Sequence, residues 1–476
     1  MDVSTEWRIE RADRFAVIVD AENYFRVARR AMAGAKRRIM LIGWDFDARI
    51  VLDHDCPADE GPRTVGEFIY WLVERNPDLE VFLLRWDFGA IRALFRGTTV
   101  LTVLKWMRHP RIHTKLDGHH PTGASHHQKV VVIDDCLAFC GGIDMTGERW
   151  DTRAHADEEP RRVLAWGRPY KPWHDATTAV SGPVAAALGE MARERWRVAG
   201  GDALQPVTEA APCWPEGLEP DFKGVSVRIA RTIPEMADQP PAHESEALFL
   251  AQIAAARTGV YIESQYFASR RIAEAIARRL DEPDGPEFVV VNPESAQGWL
   301  EPVAMDTARV RLVEAIRRRD KHGRFRLYHP FTAGGQAIYA HAKILIADGR
   351  VLRLGSSNMN NRSLRLDTEC DLAIEAEDEA TAARIAAIRD DLMAEHLGVS
   401  PECVTATLAE TGSLIATVEA LRGEGRSLRP YQAPNLNGVE QWLADNEVLD
   451  PEGPGEMFEA VSRRGLFRRR LRQPGR

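Results

Sequence analysis

Cysteine is scarce in this 476-residue chain. The six thiols stand at 56, 136, 140, 213, 370 and 403 with no CxxC pair, which excludes a disulfide-built scaffold. A reduced chain of scattered thiols is expected, with Cys136 and Cys140, which flank a short strand start, as the alternative pair. Long apolar runs are also lacking. No stretch approaches the roughly 18 residues a membrane helix needs. The opening MDVSTEWRIERADRF holds four acids and no apolar centre, so an ordinary signal peptide is not expected. Positive charge is in deficit too, with 62 Lys plus Arg against 71 Asp plus Glu and a formal net charge of −9. Non-specific nucleic-acid binding needs clustered positive charge, so it is disfavoured as the main role.

What is present is ordinary for a globular protein: 44% hydrophobic and 28% charged residues. The length suits two or three domains. The decisive feature is an internal repeat. His127-Gln-Lys129-Val-Val-Val-Ile-Asp134 and His341-Ala-Lys343-Ile-Leu-Ile-Ala-Asp348 share the form H-x-K-x4-D, 214 residues apart. The offset carries Gly141 to Gly355, Gly142 to Ser356 and Asp144 to Asn358. With only eight lysines in the chain, composition predicts roughly 0.02 copies of the motif by chance.

Flanking patterns repeat as well. A helix leads into a strand near residues 21–46 and again near 245–267, and LEVFLLRW and PEFVVVN give a further strand each. Each half closes with an acid, a short strand and a helix: Asp175, ATTAV and VAAALGEMARERW, then Glu369, CDLAI and ATAARIAAIRDDLMAE. The order is mixed α/β. Two homologous domains are expected over 1–199 and 224–398, with a Pro/Gly-rich linker at 200–223 and a helical and basic tail over 399–476.

KVVVID and KILIAD read as β-strands, each followed by a turn and a second strand. Alternation along a strand points His127 with Lys129, and His341 with Lys343, to one face. Asp134 and Asp348 have the opposite parity and are expected to support the site rather than touch substrate. Two such edges facing each other place two imidazoles and two ammoniums around one point. That set suits a phosphodiester: lysines neutralise the non-bridging oxygens, one histidine attacks and the other protonates the leaving group. Neither a metal nor another cofactor is needed.

The doubled motif resembles that of the phospholipase D superfamily, over roughly residues 15–398. The resemblance implies two phospholipase D-like domains, mixed β-sheets flanked by helices, with the active site at a pseudo-twofold interface. It implies that His127 attacks phosphorus, that His341 protonates the leaving alcohol, and that Lys129 and Lys343 bind phosphoryl oxygens. Asn358 would help hold them; its counterpart Asp144 departs from the pattern. The family also supplies an acid downstream of each motif to orient a histidine. Asp175, with Asp151 as competitor, and Glu369, with Asp367 as competitor, are the candidates.

GGIDMTGERWD, PWHD and YIESQYF, the last with Glu263 and Gln265, are similar to segments of phosphatidylcholine-type phospholipases. Hydrolysis of a glycerophospholipid to phosphatidic acid and head-group alcohol is therefore expected. Phosphatidyl transfer, as in a cardiolipin synthase, is the nearest alternative; a nuclease and a non-catalytic membrane-binding protein follow. The expected partner is phospholipid at a membrane surface, with peripheral contact, no nucleic acid and a monomeric chain. The expected location is cytoplasmic or peripheral, or else exported without a recognisable signal. Residues 88–109, basic and apolar without an acid, and the arginine-rich tail from Arg463 are candidate lipid contacts. Six histidines between 109 and 127 invite a metal reading, but none of the usual ligand spacings appears. Trp44, Asp45 and Asp47 end the first strand of the repeat and read as loop structure.

Overall fold

A computed structural model describes residues 4–87, 105–208, 213–296 and 305–433. The strands of the first half are β1 (Arg8–Val19), β2 (Arg38–Gly43), β3 (Glu80–Trp86), β4 (Ile112–Asp117), β5 (Val130–Ile133), β6 (Leu137–Gly141), β7 (Trp173–His174) and β8 (Ala176–Ser181). The second half supplies β9 (Phe222–Ile233), β10 (Ala242–His243), β11 (Gly259–Glu263), β12 (Glu287–Val291), β13 (Phe325–Phe331), β14 (Tyr339–Ala340), β15 (Ile344–Ala347), β16 (Val351–Gly355), β17 (Glu369–Glu375) and β18 (Ser427–Pro430).

The two expected sheets are one. Its order is β18-β13-β12-β11-β15-β16-β17-β9-β1-β8-β6-β5-β2-β3-β4, with β10 on the side of β9. From the β9–β1 seam outward the halves mirror each other: β17 answers β8, β16 answers β6, β15 answers β5 and β11 answers β2. Antiparallel pairing of β1 with β9, from Arg8 opposite Ile229 to Phe15 opposite Phe222, makes the seam. β9 thus begins inside the stretch read as linker.

Helices cover both faces, and so the motif strands are apolar throughout: all four residues of β5 and of β15 are buried. One core runs across both halves, from Val130 and Val132 to Ile344 and Ile346, under the helices Pro183–Val198 and Glu379–Leu397. On the other face each half has its own core, with Ile39, Leu41 and Val131 in the first and Val260, Ile262 and Leu345 in the second. The shared core makes the halves one body, and the motif hairpins approach each other within it.

The cysteines correct an expectation. Cys136 is bonded to Cys213, 77 residues away, and Cys140 is a free buried thiol. Turn geometry explains the choice: Cys136 stands in the β5–β6 turn, beside the returning interhalf segment. The stretch near 401–424 forms two helices, Pro401–Thr411 and Leu414–Leu421. Among the described residues no helix is long and apolar enough to cross a membrane. Most of the 88–109 stretch and the whole arginine-rich tail lie outside the described residues.

Candidate active site

His127 and Lys129 immediately precede β5, and His341 and Lys343 immediately precede β15. Each motif is held by backbone from the other half. β14 pairs in parallel with β7, and the His341 N–H donates to the His174 carbonyl over 2.7 Å. On the opposite side His126 bridges Thr368 in parallel, and the His127 N–H donates to the Thr368 carbonyl over 3.0 Å. Parallel pairing carries the next residue of each segment alongside the histidine. Those residues are Asp175 and Glu369.

The result is an exchange of acids between halves. His341 Nδ1 lies 2.6 Å from Asp175 Oδ2. His127 Nδ1 lies 2.9 and 3.0 Å from the Glu369 oxygens. Both carboxylates are fully buried. An acid on Nδ1 holds the ring with Nε2 as the reacting nitrogen. Asp151 and Asp367 do other work. Asp151 accepts from the Trp173 N–H (2.8 Å) and pairs with His155 and Arg162, while Asp367 accepts from the Ser125 N–H (2.7 Å). Both thereby fix the segments that carry the orienting acids and His127.

The supports differ between halves. Glu369 accepts from Ser356 Oγ. The matching position is Gly142, where a Cβ would collide with Asp175 Oδ1. Glycine is required there by this close approach.

Lys129 Nζ donates to the His127 carbonyl (2.7 Å) and lies 3.2 Å from Asp144 Oδ2. Lys343 Nζ donates to the His341 carbonyl, and over 3.4 Å to Gln265 Oε1, which also accepts from Asn358 Nδ2 at 3.3 Å. So Asp144 and Asn358 occupy matching places with different effect. Lys129 faces a carboxylate; Lys343 faces amides.

Asp134 and Asp348 stand just past the ends of β5 and β15 and stay out of the pocket. Asp134 accepts from the N–H groups of Lys36, Arg37 and Arg38, and Asp348 from those of Arg257, Thr258 and Gly259. Both have left-handed backbones, φ 49° and 55°. Each locks the turn after its motif strand to the start of the neighbouring strand. Trp44 and Asp45 likewise give backbone N–H groups to Asp144, at 3.0 and 3.5 Å, and Asp47 pairs with Arg49. That is the loop role read for them.

Burial governs the charge states. It pulls His127 and His341 well below the usual imidazole range, aided by the charges of Lys129 and Lys343. It pulls Lys343 down to about 7, with Asp175 opposing and Lys129 assisting. It raises Asp175 and Glu369, against the attraction of Lys343 on the first and Lys129 on the second. Both histidine shifts favour the neutral imidazole. His127 retains 16% of its side-chain surface exposed against 5% for His341, so it is the more open of the two rings.

Sequence reasoning missed three contributors. Arg149 lies over the Trp173 ring at 4.3 Å and its charge acts on His341. Trp173 stacks on Tyr339 at 4.5 Å and backs the His341 ring at 5.0 Å. Ser356 was only a place in the repeat. The histidines of 109–127 disperse: His109 to Glu74, His113 to Glu80, His119 to Asp238, His120 to Asp87 and His126 to Asp117.

Comparison with known proteins places this geometry. The family model described as "Phospholipase D" matches residues 31–272, and that described as "Cardiolipin synthase, PLD-like domain" matches 249–390. The chain is 24% identical to phospholipase D A of Dictyostelium discoideum over 83% of its own length and 36% of that protein. It is 24% identical to phospholipase D alpha 4 of Arabidopsis thaliana over 91% of its length and 69% of that protein. Several relatives are thus much longer than this chain. The structure of phosphatidylserine synthase from Haemophilus influenzae Rd KW20 superposes with a TM-score of 0.54 at 13% identity, covering 88% of this chain and 96% of that one. The fold is shared at that distance, and the matched models span both motifs. The chain belongs to the phospholipase D superfamily.

Proposed function

We propose that this protein is a phosphodiesterase of the phospholipase D type that cleaves the distal phosphodiester of glycerophospholipids. The observation that carries the reading is the exchanged pair of histidine–acid contacts, His127 with Glu369 and His341 with Asp175, each beside a lysine. His127 Nε2 attacks phosphorus as the bond to the head-group oxygen breaks. The incoming phosphodiester adds negative charge beside His341 and raises its proton affinity, so that His341 takes up a proton from solvent and gives it to the leaving alkoxide. His341 then takes a proton from water, whose oxygen attacks the phosphohistidine and releases phosphatidic acid. Lys343, which forms no ion pair with a carboxylate among the described residues, and Lys129 stabilise the non-bridging oxygens.

Phospholipid is favoured over nucleic acid by the net charge of −9 and by the names of the relatives. Peripheral membrane contact is part of the proposal: in the described end of the 88–109 stretch Met107 is 64% exposed, beside buried Trp106. We further propose a monomer, since both motifs stand in one chain. The Cys136–Cys213 bond favours an oxidising, exported setting over the cytoplasm.

A second reading is phosphatidyl transfer, favoured by the synthase model on the second half and the synthase fold neighbour. Both reactions pass through one phosphohistidine and differ in the acceptor. Product analysis on a phospholipid panel, with and without a primary alcohol, tests both. Phosphatidic acid in water supports the hydrolase; product only with added alcohol supports the transferase; no head group released from any lipid rejects both.

A further inference from the structure

Behind the His341–Asp175 pair lies a second set of chemical side chains that the reaction does not use. Asp20, His155, His174 and Glu395 are fully or almost fully buried and bring one ligand atom each into a single group. His174 Nδ1 is 3.2 Å from Asp20 Oδ1 and 2.9 Å from Glu395 Oε1. His155 Nε2 is 3.0 Å from Glu395 Oε1 and 3.5 Å from Asp20 Oδ2. Among the described residues Asp20 Oδ2 has no hydrogen-bond partner, only the 3.5 Å approach of His155 Nε2, although the residue is wholly buried. An orphaned carboxylate oxygen there calls for a partner.

The outward nitrogens complete the pattern. His155 Nδ1 meets Asp151 at 3.0 Å, and His174 Nε2 meets Glu263 at 2.8 Å. Each imidazole thus meets a separate carboxylate at its outer nitrogen, while its inner nitrogen converges on Glu395 Oε1. Outer carboxylates of this kind orient and strengthen metal-ligating histidines. Two nitrogens and two carboxylate oxygens suit zinc, whose ligand distances place ligand atoms about 3.3 Å apart in a tetrahedron. The observed spacings bracket that value.

We propose that Asp20, His155, His174 and Glu395 hold one divalent cation, zinc by their chemistry, as a structural centre distinct from the catalytic histidines. The repeat does not dictate this cluster. Asp144 and Asp175 are 31 residues apart, whereas Asn358 and Glu369 are 11 apart, so the first half carries extra chain, and Asp151 and His155 stand in it. The centre has a positioning consequence. Asp20 exchanges two hydrogen bonds with Asp175, from its own N–H to the Asp175 carbonyl (2.8 Å) and from the Asp175 N–H to its Oδ1 (3.1 Å). The cation would hold the acid that orients His341.

The test is metal content, which is independent of turnover and so of the proposed reaction. Full-length protein from zinc-supplemented medium, dialysed against metal-free buffer, should retain about one zinc per chain by plasma mass spectrometry. Asp151→Asn should weaken zinc binding about 10–100-fold, and Asp20→Asn should release it. Cobalt substituted into the wild-type protein should give tetrahedral visible bands without a thiolate charge-transfer band, an answer that needs no variant to fold. Absence of stoichiometric metal together with no thermal shift on adding zinc would overturn the proposal and leave a lattice of charged histidines and acids. A thiolate band, or zinc retained in folded Asp20→Asn, would place the ion elsewhere and overturn it equally.

Discussion

His127 Nδ1 lies 2.9 Å from Glu369 Oε1, a carboxylate 242 residues further along the chain and in the opposite half. Neither motif histidine finds its acid in its own half, since His341 likewise meets Asp175 of the first half.

This exchange makes Glu369 the residue that fixes the His127 tautomer. Glu369→Gln should leave the fold intact and lower kcat by about 10²–10⁴-fold, the range seen when an orienting acid is neutralised. Asp175→Asn should act similarly through His341. Steady-state kinetics with circular dichroism as a fold control checks both. Full activity in either variant would remove its acid from the mechanism.

Asp144 offsets the charge of Lys129 over 3.2 Å, while its counterpart Asn358 brings only a neutral amide to the Lys343 side. Asp144→Asn should therefore tighten binding of inorganic phosphate, a competitive anion, several-fold at low salt, and the gain should shrink as salt screens it. Isothermal titration reads this directly; unchanged phosphate affinity would show that Lys129 does not face the anion.

Burial lowers Lys343 to about 7. Its charge is full below that pH and is lost above it, so kcat/KM, which reports the free enzyme, should fall as pH rises through 7. Lys343→Arg should lower the rate yet flatten this alkaline limb, since guanidinium stays charged. Stability moves the other way. An unfolded lysine keeps its proton to about 10.4, so between 7 and 10 the unfolded state binds more protons and folding gains as pH rises. Thermal denaturation of Lys343→Met should show its largest stabilisation over wild type below pH 7, fading toward pH 10.

The Cys136–Cys213 bond closes a 77-residue span. Replacing both cysteines by serine should lower unfolding free energy by about 2–4 kcal/mol in denaturant titration. Unchanged stability would mean that the thiols are not joined.

The motifs were legible because chemistry needs His and Lys at one spacing, and the chain repeats it. The exchange of acids was not. It follows from Thr368 pairing with His126 and His174 pairing with His341, contacts between halves that leave no periodic trace. The seam strands were missed for a related reason: the outer part of β1, RIERAD, exposes Ile9, Arg11 and Asp13, only partly covers Arg8 and Glu10, and lacks the apolar run that marks β5. Alternation pointed Asp134 and Asp348 away from the histidines, but not to the left-handed turns in which they accept backbone N–H groups. The 136–213 bond was not, since sequence separation says nothing of which thiol a turn will meet.

The most direct test is to locate the covalent intermediate. His341→Asn, incubated with phospholipid and quenched at high pH, should accumulate a base-stable, acid-labile phosphatidyl adduct on His127, found by peptide mass spectrometry, and His127→Asn should form none. An adduct mapped to His341, or turnover persisting in His127→Asn, would contradict the assignment of His127 as nucleophile.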